Sequence, residues 1–533
     1  MSFNDKRQPD PEHDNYMNAT HPVEVELKLA LPQQQAATFI KLMARRRIPP
    51  LQQALLTRYF DTPDFALSAQ GIALRVRRSG RRWLQTLKTE GERSGGLSRR
   101  AEYEVAISGR TPDWSRFPAE AQALVPEALR AQLAPVFETD FKRTSWQLVG
   151  EHGTAIEVAL DVGEVRTLKG IKAGTQRQPL CEIELELKSG QPDALFALAL
   201  GWAQQLDYLP LDSSKAERGV RLAHQQSLAP VNATPLVLKP GMSVEAGFAA
   251  VCQDCLTQFQ ANLPGVLDSD DIEYVHQARV ALRRLRAALR VFRRVCAVPE
   301  DLLAKLRELA AALGPARDWD LLCSETLQPI AAHYPDAAGW QQGLAALEAQ
   351  RAEAHASMRV TLQQAHPGAW LLACQRWLLQ RGWRLNPVGH TVAEAQRFVQ
   401  LSPLDKWARR ALREGQRPVV RGARVFGELS ALQRHRLRIA IKRQRYAAEF
   451  FQSLFAGRKH SRYQVALRNA QDSLGRICDV RVACGLLTPN LADTGPMTAF
   501  VLGWLAARQA DVIPDDSVQH VQVLKKVKFA GSA

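Results

Sequence analysis

Residues 23–28 read VEVELK, so Glu24, Glu26 and Lys28 alternate with Val23, Val25 and Leu27. Residues 181–188 repeat the pattern as CEIELELK, in which Glu182, Glu184, Glu186 and Lys188 alternate with Cys181, Ile183, Leu185 and Leu187. Side chains on a strand point to alternate faces, so each stretch has one apolar face and one charged face. The same period pairs Arg75 with Arg77 in ALRVRR and places Lys88 at the end of WLQTLK. It also groups Arg100, Glu102 and Glu104 in RRAEYEV, and Glu157 with Asp161 in IEVALDV. A half-buried antiparallel sheet shows one polar face to water. Here the polar positions are almost all charged, and carboxylates gather on some strands while Arg and Lys gather on others. The other arrangement is a closed barrel with the charged face inward. Buried like charges are costly unless paired or metal-bound. Carboxylates on neighbouring strands stand about 5 Å apart, and those two residues apart along a strand about 7 Å. Several oxygens can therefore converge on a hard cation such as Mg²⁺ or Mn²⁺. The arginine strands would then hold an anionic substrate, because guanidinium forks match phosphate oxygens.

The 533 residues predict two to four domains. A net charge of +16 favours polyanionic partners: nucleic acid, polyphosphate or an anionic membrane surface. Residues 1–21 are polar, lack an apolar signal core and predict a disordered leader. Strand patterns and short helices fill 22–224, predicting an α+β domain with a largely antiparallel sheet. GERSGGLS at 91–98 reads as a hairpin loop, since it lacks the Lys-Ser/Thr of a phosphate loop. Pro-rich residues 225–243 read as a linker. From 244 to 520 the pattern is helical, with two repeats expected over about 244–385 and 386–520, and 521–533 reads as a basic tail. The stretch TGPMTAFVLGWLAA is too short to span a bilayer and reads as a core helix. Cys252 and Cys255 form a lone CxxC, weak evidence for metal or redox chemistry. These features predict a cytoplasmic chain with no membrane partner.

Several motifs occur in order across the first 220 residues: ExExK at 24–28, YFDT at 59–62, LRVR at 74–77, LK at 87–88, RAEYE at 100–104, ELELK at 184–188 and SKAERG at 214–219. Together they resemble the CYTH domain of the triphosphate tunnel metalloenzymes. The resemblance implies an eight-stranded antiparallel tunnel that binds a triphosphate with a divalent metal. It implies metal ligands at Glu24 and Glu26, with Asp161, Glu182, Glu184 and Glu186 as the late-strand candidates. It also implies phosphate clamps at Lys28, Arg75, Arg77, Lys88 and Arg100. Arg143, Lys188, Lys215 and Arg218 are further candidates for the substrate, and Glu24, Glu26, Lys28 and Lys88 are the expected catalytic group.

The helical region is duplicated. HQARVALRRLRAALRVFRRV begins at His276 and is followed by LGPARDWD from Leu313. HRLRIAIKRQRYAAEFF begins at His435 and is followed by LGRICD from Leu474. Matching order and spacing predict two related helical units. On a helix, His276, Arg279, Arg283, Arg286 and Arg290 share one arc of roughly 100°. His435, Arg438, Lys442 and Arg445 repeat the stripe. Like charges at i,i+4 repel, and a bound polyanion would relieve them. These motifs resemble the CHAD domain, which implies an all-α bundle pair that binds inorganic polyphosphate. Cys478 departs from the expected Asn before Asp479. Little aromatic interleaving accompanies the stripes, so no specific nucleic-acid partner is expected, and no protein partner is identifiable.

The expected function is a triphosphatase that uses Mg²⁺ or Mn²⁺ to hydrolyse inorganic triphosphate to phosphate and pyrophosphate, with a polyphosphate-binding domain behind it. The alternatives are a thiamine triphosphatase, a class IV-type adenylyl cyclase and a non-catalytic polyphosphate scaffold.

Overall fold

The computed structural model describes residues 23–168, 176–385, 391–455, 457–510 and 515–527. The expected leader and the last residues of the expected tail lie outside this set. The chain divides near Leu228 into two compact units.

The first unit is built on ten antiparallel strands: β1 (Val23–Ala30), β2 (Leu51–Asp61), β3 (Ala73–Ser79), β4 (Arg82–Lys88), β5 (Glu92–Ser94), β6 (Leu97–Ile107), β7 (Ala134–Val149), β8 (Ala155–Thr167), β9 (Arg177–Ser189) and β10 (Leu209–Pro210). Their order is β10-β1-β9-β8-β7-β2-β3-β4-β6-β5, and β1 also pairs with β6. That pairing closes an eight-stranded barrel, and the short β5 and β10 are additions outside the ring. Closure leaves the barrel without free edges. The hairpin expected at 91–98 forms between β5 and β6, where Gly95 and Gly96 adopt positive φ (61° and 84°) that L side chains resist.

The barrel is inside out relative to a small soluble one. Leu27, Leu29, Ile183, Leu185, Val158 and Leu160 point outward, yet they are buried. The helix Asp193–Leu200 packs on the outside of β1 and β9. Phe39, on the helix Ala36–Ala44, meets the rings of Trp146 and Trp202 edge-on. The apolar half of each alternating strand is thus satisfied by a helical coat, and the charged half is left to the lumen.

The second unit is helical. Its long helices are Val244–Asp268, Ile272–Phe292, Glu300–Leu321, Ala337–Gln364, Leu404–Arg424, Ala431–Phe450, Arg458–Leu487 and Leu491–Ala510. The last of these contributes Met497, Val501 and Leu505 to a buried cluster with Trp319, Leu347 and Leu487. None of the described helices is long and apolar enough to cross a membrane. Cys252 and Cys255 are buried, reduced cysteines, and burial pushes Cys255 up to about 12.

One expected boundary needs correction. The tail begins later than residue 521, because Asp515–Lys526 is a helix whose Val521 and Leu524 are buried. Their spacing of three puts both on one apolar stripe. The stretch 225–243 has no helix or strand, yet it is tied to the helical unit. Asn262 bonds both backbone groups of Val231, and the Leu238 amide donates to Ser453.

Candidate active site

Strand register decides which charges meet. Residues directly opposite across an antiparallel pair share a face. Glu26 lies opposite Glu186, and Lys28 opposite Glu184. Glu24 faces Arg100, and Lys88 faces Glu102. Asp161 faces Glu182 and Arg143, and Glu157 faces Glu186. On β3, Arg75 and Arg77 stand opposite Tyr59 and Thr57. All of these side chains except Thr57, Asp161 and Glu182, which lie buried behind the wall, line a lumen of about 550 Å³.

One part of this charge is deeply buried and already balanced. The helix Lys215–Ala223 starts with a Ser214–Glu217 capping box and drives Lys215 and Arg218 toward the strands. It can sit there because residue 219 is glycine: a Cβ would lie 2.0 Å from the Phe137 ring. The Lys215 ammonium bonds Glu182 and stands 2.7 Å from Asp161 and 2.8 Å from Glu184. Arg218 bonds Glu182, while Arg143 bridges Asp161 (2.7 and 2.6 Å) and Glu184. Burial would raise Glu184, but Lys215, Arg143 and Lys28 hold it well below the usual carboxylate range. Oxygens of Asp161, Glu182 and Glu184 lie within 4.8 Å of one another, the spacing of a cation site. The cation they hold is the side chain of Lys215. These three of the six metal ligands that the resemblance implied are therefore locked to Lys215, Arg143 and Arg218.

The second part is more open. Lys88 bonds both oxygens of Glu24 (2.9 and 2.7 Å), and Arg100 bridges Glu24 (3.1 Å) and Glu26 (2.6 Å). Lys28 also bonds Glu26. On the neighbouring β6, Glu102 holds Lys88 at 3.2 Å and Arg75 at 3.6 Å, and Glu104 holds Arg77 at 2.9 Å. Burial would raise Glu102 and Glu104, but their partners lower both. Arg77 is lowered by burial and by its neighbour Arg75. Lys188 lies at the rim, 42% exposed and 2.5 Å from Glu186.

Glu186 behaves differently from Glu184. Burial raises it, and the like charges of Glu24 and Glu157 add to that rise despite Lys188. Glu24, Glu26, Glu157 and Glu186 line the same lumen as oxygen donors, with Lys28, Lys88, Arg100 and Lys188 paired to three of them. Such a donor set fits a hard divalent cation.

Sequence reasoning placed Glu102, Glu104 and Glu157 on the inward face but gave them no role. Their signal was the same alternation that marked Arg75 and Arg100. Tyr59 was quoted only within the YFDT motif. Its ring lines the lumen and stacks on Phe137 at 4.6 Å. Asp61 of that motif is structural: it accepts bonds from the Thr62, Leu67 and Ser68 amides and from the Ser68 hydroxyl.

In the helical unit, Arg283, Arg286 and Arg290 line a groove of about 680 Å³ together with Lys442, Arg443 and Tyr446. The two copies share a detail. Arg279 lies over Gly314, where a Cβ would come 3.2 Å from its Nη1, and Arg438 lies near Gly475 at the looser distance of 3.9 Å. Each arginine also neighbours an aspartate one turn beyond its glycine, Asp318 or Asp479, and burial raises both acids. His276 is half-buried near Arg317, and burial and that charge lower it. His435 is exposed. Arg445 is drawn away, bonded to Glu449 and to Gln471 (2.8 Å). The side chain of Cys478 lies outside the described set.

Comparison with known proteins gives two family matches: the CYTH domain over residues 22–220 and the CHAD domain over residues 250–488. An inorganic triphosphatase of Haemophilus influenzae is 37% identical over 209 residues, which are 38% of this chain and 56% of that protein. The chain thus spans about half the length of that relative. The CHAD domain of the plant Ricinus communis is 28% identical, covering 57% of this chain and 99% of that one, with a TM-score of 0.48. A putative adenylyl cyclase from Hippeastrum, described as having a dominant triphosphatase activity, is 19% identical over 38% of this chain and 97% of its own, with a TM-score of 0.27.

Proposed function

Since the chain carries a CYTH domain followed by a CHAD domain, we propose that it is a metal-dependent inorganic triphosphatase with a polyphosphate-binding helical unit. The observation that carries this reading is the closed lumen, in which Arg75, Arg77, Lys88 and Arg100 converge with Glu24, Glu26 and Glu186. Phosphoryl transfer needs charge neutralisation and in-line geometry more than a covalent nucleophile. Lys28, Arg75, Arg77, Lys88 and Arg100 supply the positive charge. A triphosphate entering the lumen exchanges their bonds to Glu24, Glu26, Glu102 and Glu104 for bonds to phosphate oxygens. Glu24, Glu26 and Glu186 would hold Mg²⁺ or Mn²⁺. When bound, such an ion supplies charge neutralisation on the phosphate oxygens and lowers the pKa of a bound water. Asp161, Glu182 and Glu184, locked to Lys215, Arg143 and Arg218, keep the inner wall rigid and the clamp residues in place.

The lumen's apolar lining is limited to Val23, Ala73, Ala159, Ala216 and Tyr59. Tyr59 is committed to Phe137, so the described lining offers no free aromatic platform for an adenine or thiazolium ring. This favours the inorganic substrate. In the helical unit, Arg283, Arg286, Arg290 and Lys442 would take polyphosphate oxygens. His276, lowered by its surroundings, would donate a hydrogen bond as a neutral ring near pH 7. The reduced cysteines at positions 181, 252, 255, 296, 323, 374 and 484 support a reducing, cytoplasmic setting.

The test is phosphate release from tripolyphosphate, thiamine triphosphate and ATP under each divalent metal. The expected result is that tripolyphosphate is preferred and yields phosphate and pyrophosphate. Cyclic nucleotide formation from ATP would support a cyclase, and no turnover of any substrate would support a binding scaffold.

A further inference from the structure

Along the helix Leu404–Arg424, Lys406, Arg410, Arg413, Arg417, Arg421 and Arg424 recur at spacings of three and four and form one exposed stripe. Leu404, Ala408, Leu412, Val419 and Ala423 anchor the opposite face. Such a stripe repels itself along i,i+4 pairs. Glu414, which also lines the groove beside this helix, lies 3.0 Å from Arg410 and 3.9 Å from Arg294, and Asp405 stands beside Lys406 in the first turn. Beside this helix runs a second groove of about 500 Å³, floored by Val291, Val399, Trp407 and Ala440. Arg290, Arg293 and Arg443 wall it, and the same three arginines wall the first groove. They form a ridge between the two. Among the described residues no carboxylate pairs with any of the three. Burial and the charges of Arg290, Arg293 and Arg286 depress Arg443. A cation cluster with no internal counter-ion, open on both sides, is suited to an external anion.

We infer that the two grooves form one anion track, in which a long inorganic polyphosphate chain crosses the Arg290–Arg293–Arg443 ridge, passes Arg410 on the wall of the second groove and leaves it onto the exposed stripe at Arg413, Arg417 and Arg421. This rests on the reading of the helical unit as a polyphosphate binder and extends it to a surface outside the duplicated histidine stripes. The 21-residue helix adds about 30 Å of contact, so the second arm serves only chains long enough to leave the first groove.

The experiment measures binding of linear polyphosphates of about 10 and about 100 units to the full-length protein across a salt series. In Arg413→Ala/Arg417→Ala/Arg421→Ala, affinity for the long chain falls about tenfold, and its salt slope becomes shallower by about 2. Short-chain affinity stays at the wild-type value. The corresponding triple lysine variant restores the long-chain affinity, because the contact is charge to phosphate. In Arg283→Ala/Lys442→Ala, both chain lengths bind more weakly. Thermal melts of all variants matching wild type verify the fold. An alanine triple that binds the long chain like wild type, or that weakens both lengths equally, overturns the second arm and leaves the first groove standing. A wild-type protein that binds neither length overturns the polyphosphate reading and this inference with it.

Discussion

Glu24→Gln combined with Glu26→Gln is expected to lower tripolyphosphate turnover by at least about 100–1,000-fold. Glutamine keeps the shape and hydrogen-bonding reach of each side chain but removes two negative charges from the lumen. The first consequence falls on catalysis, since two of the three oxygen donors proposed for the divalent cation lose their charge. The second falls on binding and has the opposite sign. Lys28, Lys88 and Arg100 now spend part of their charge on Glu24 and Glu26. Freed of them, they attract a bare triphosphate more strongly. The double variant should therefore bind tripolyphosphate more tightly than wild type in the presence of chelator, while releasing almost no phosphate with metal. Calorimetry and a phosphate-release assay on one preparation check both halves. Turnover within tenfold of wild type would remove these two carboxylates from the mechanism.

Lys215→Met should have the largest effect on stability. Asp161, Glu182 and Glu184 are balanced by Lys215, Arg143 and Arg218, three charges against three. Removing the lysine leaves three carboxylates facing two guanidiniums at a site where Asp161 and Glu182 have no solvent exposure. Breaking a buried pair in this way costs about 3–5 kcal/mol. The pH dependence separates this account from a simple packing defect. In the wild type Glu184 is held below its ordinary value, so its contribution is present above the unfolded carboxyl pKa and is lost only as pH falls through the lower folded one. In the variant the uncompensated carboxylate is pushed up. The folded state then binds more protons than the unfolded, and stability rises as pH falls. Melts from about pH 8 to about pH 5 should climb for the variant relative to those of wild type. A variant that melts like wild type at every pH would show that Lys215 carries no such charge burden.

The barrel was legible because period-two alternation survives in a single sequence: Glu24, Glu26 and Lys28 turned inward, and Leu27 and Leu29 turned outward, where a helical coat covers them. Alternation fixes a side chain's face but not its height along the barrel axis. Glu184 and Glu186 are two residues apart on one face, yet one is locked to Lys215 and Arg143 while the other joins Glu24 and Glu157. That division depends on where the helix Lys215–Ala223 docks, a tertiary contact permitted by Gly219 against Phe137. The helical stripes had the same limit. Periodicity grouped Arg445 with Arg438 and Lys442, but Glu449, one turn further on, captures it. The Gly314 and Gly475 motifs were visible as repeats, while the close approach of Arg279 to Gly314 needed the packed structure. The helix Leu404–Arg424 carries a basic stripe as regular as the histidine-led ones, but it stands outside the duplication that drew attention to them.

The central claim is that the opposed charges of the lumen are reconciled by a triphosphate and a divalent cation bound together. Titration of Mn²⁺ into the full-length protein, followed by its electron paramagnetic resonance signal with and without tripolyphosphate, tests it most directly. Binding linkage requires that each ligand tighten the other by the same factor. The account predicts that tripolyphosphate strengthens protein-bound Mn²⁺ by at least about tenfold, and that Glu24→Gln/Glu26→Gln abolishes the gain. Mn²⁺ affinity that is indifferent to tripolyphosphate, or a gain that survives in the double variant, would contradict it.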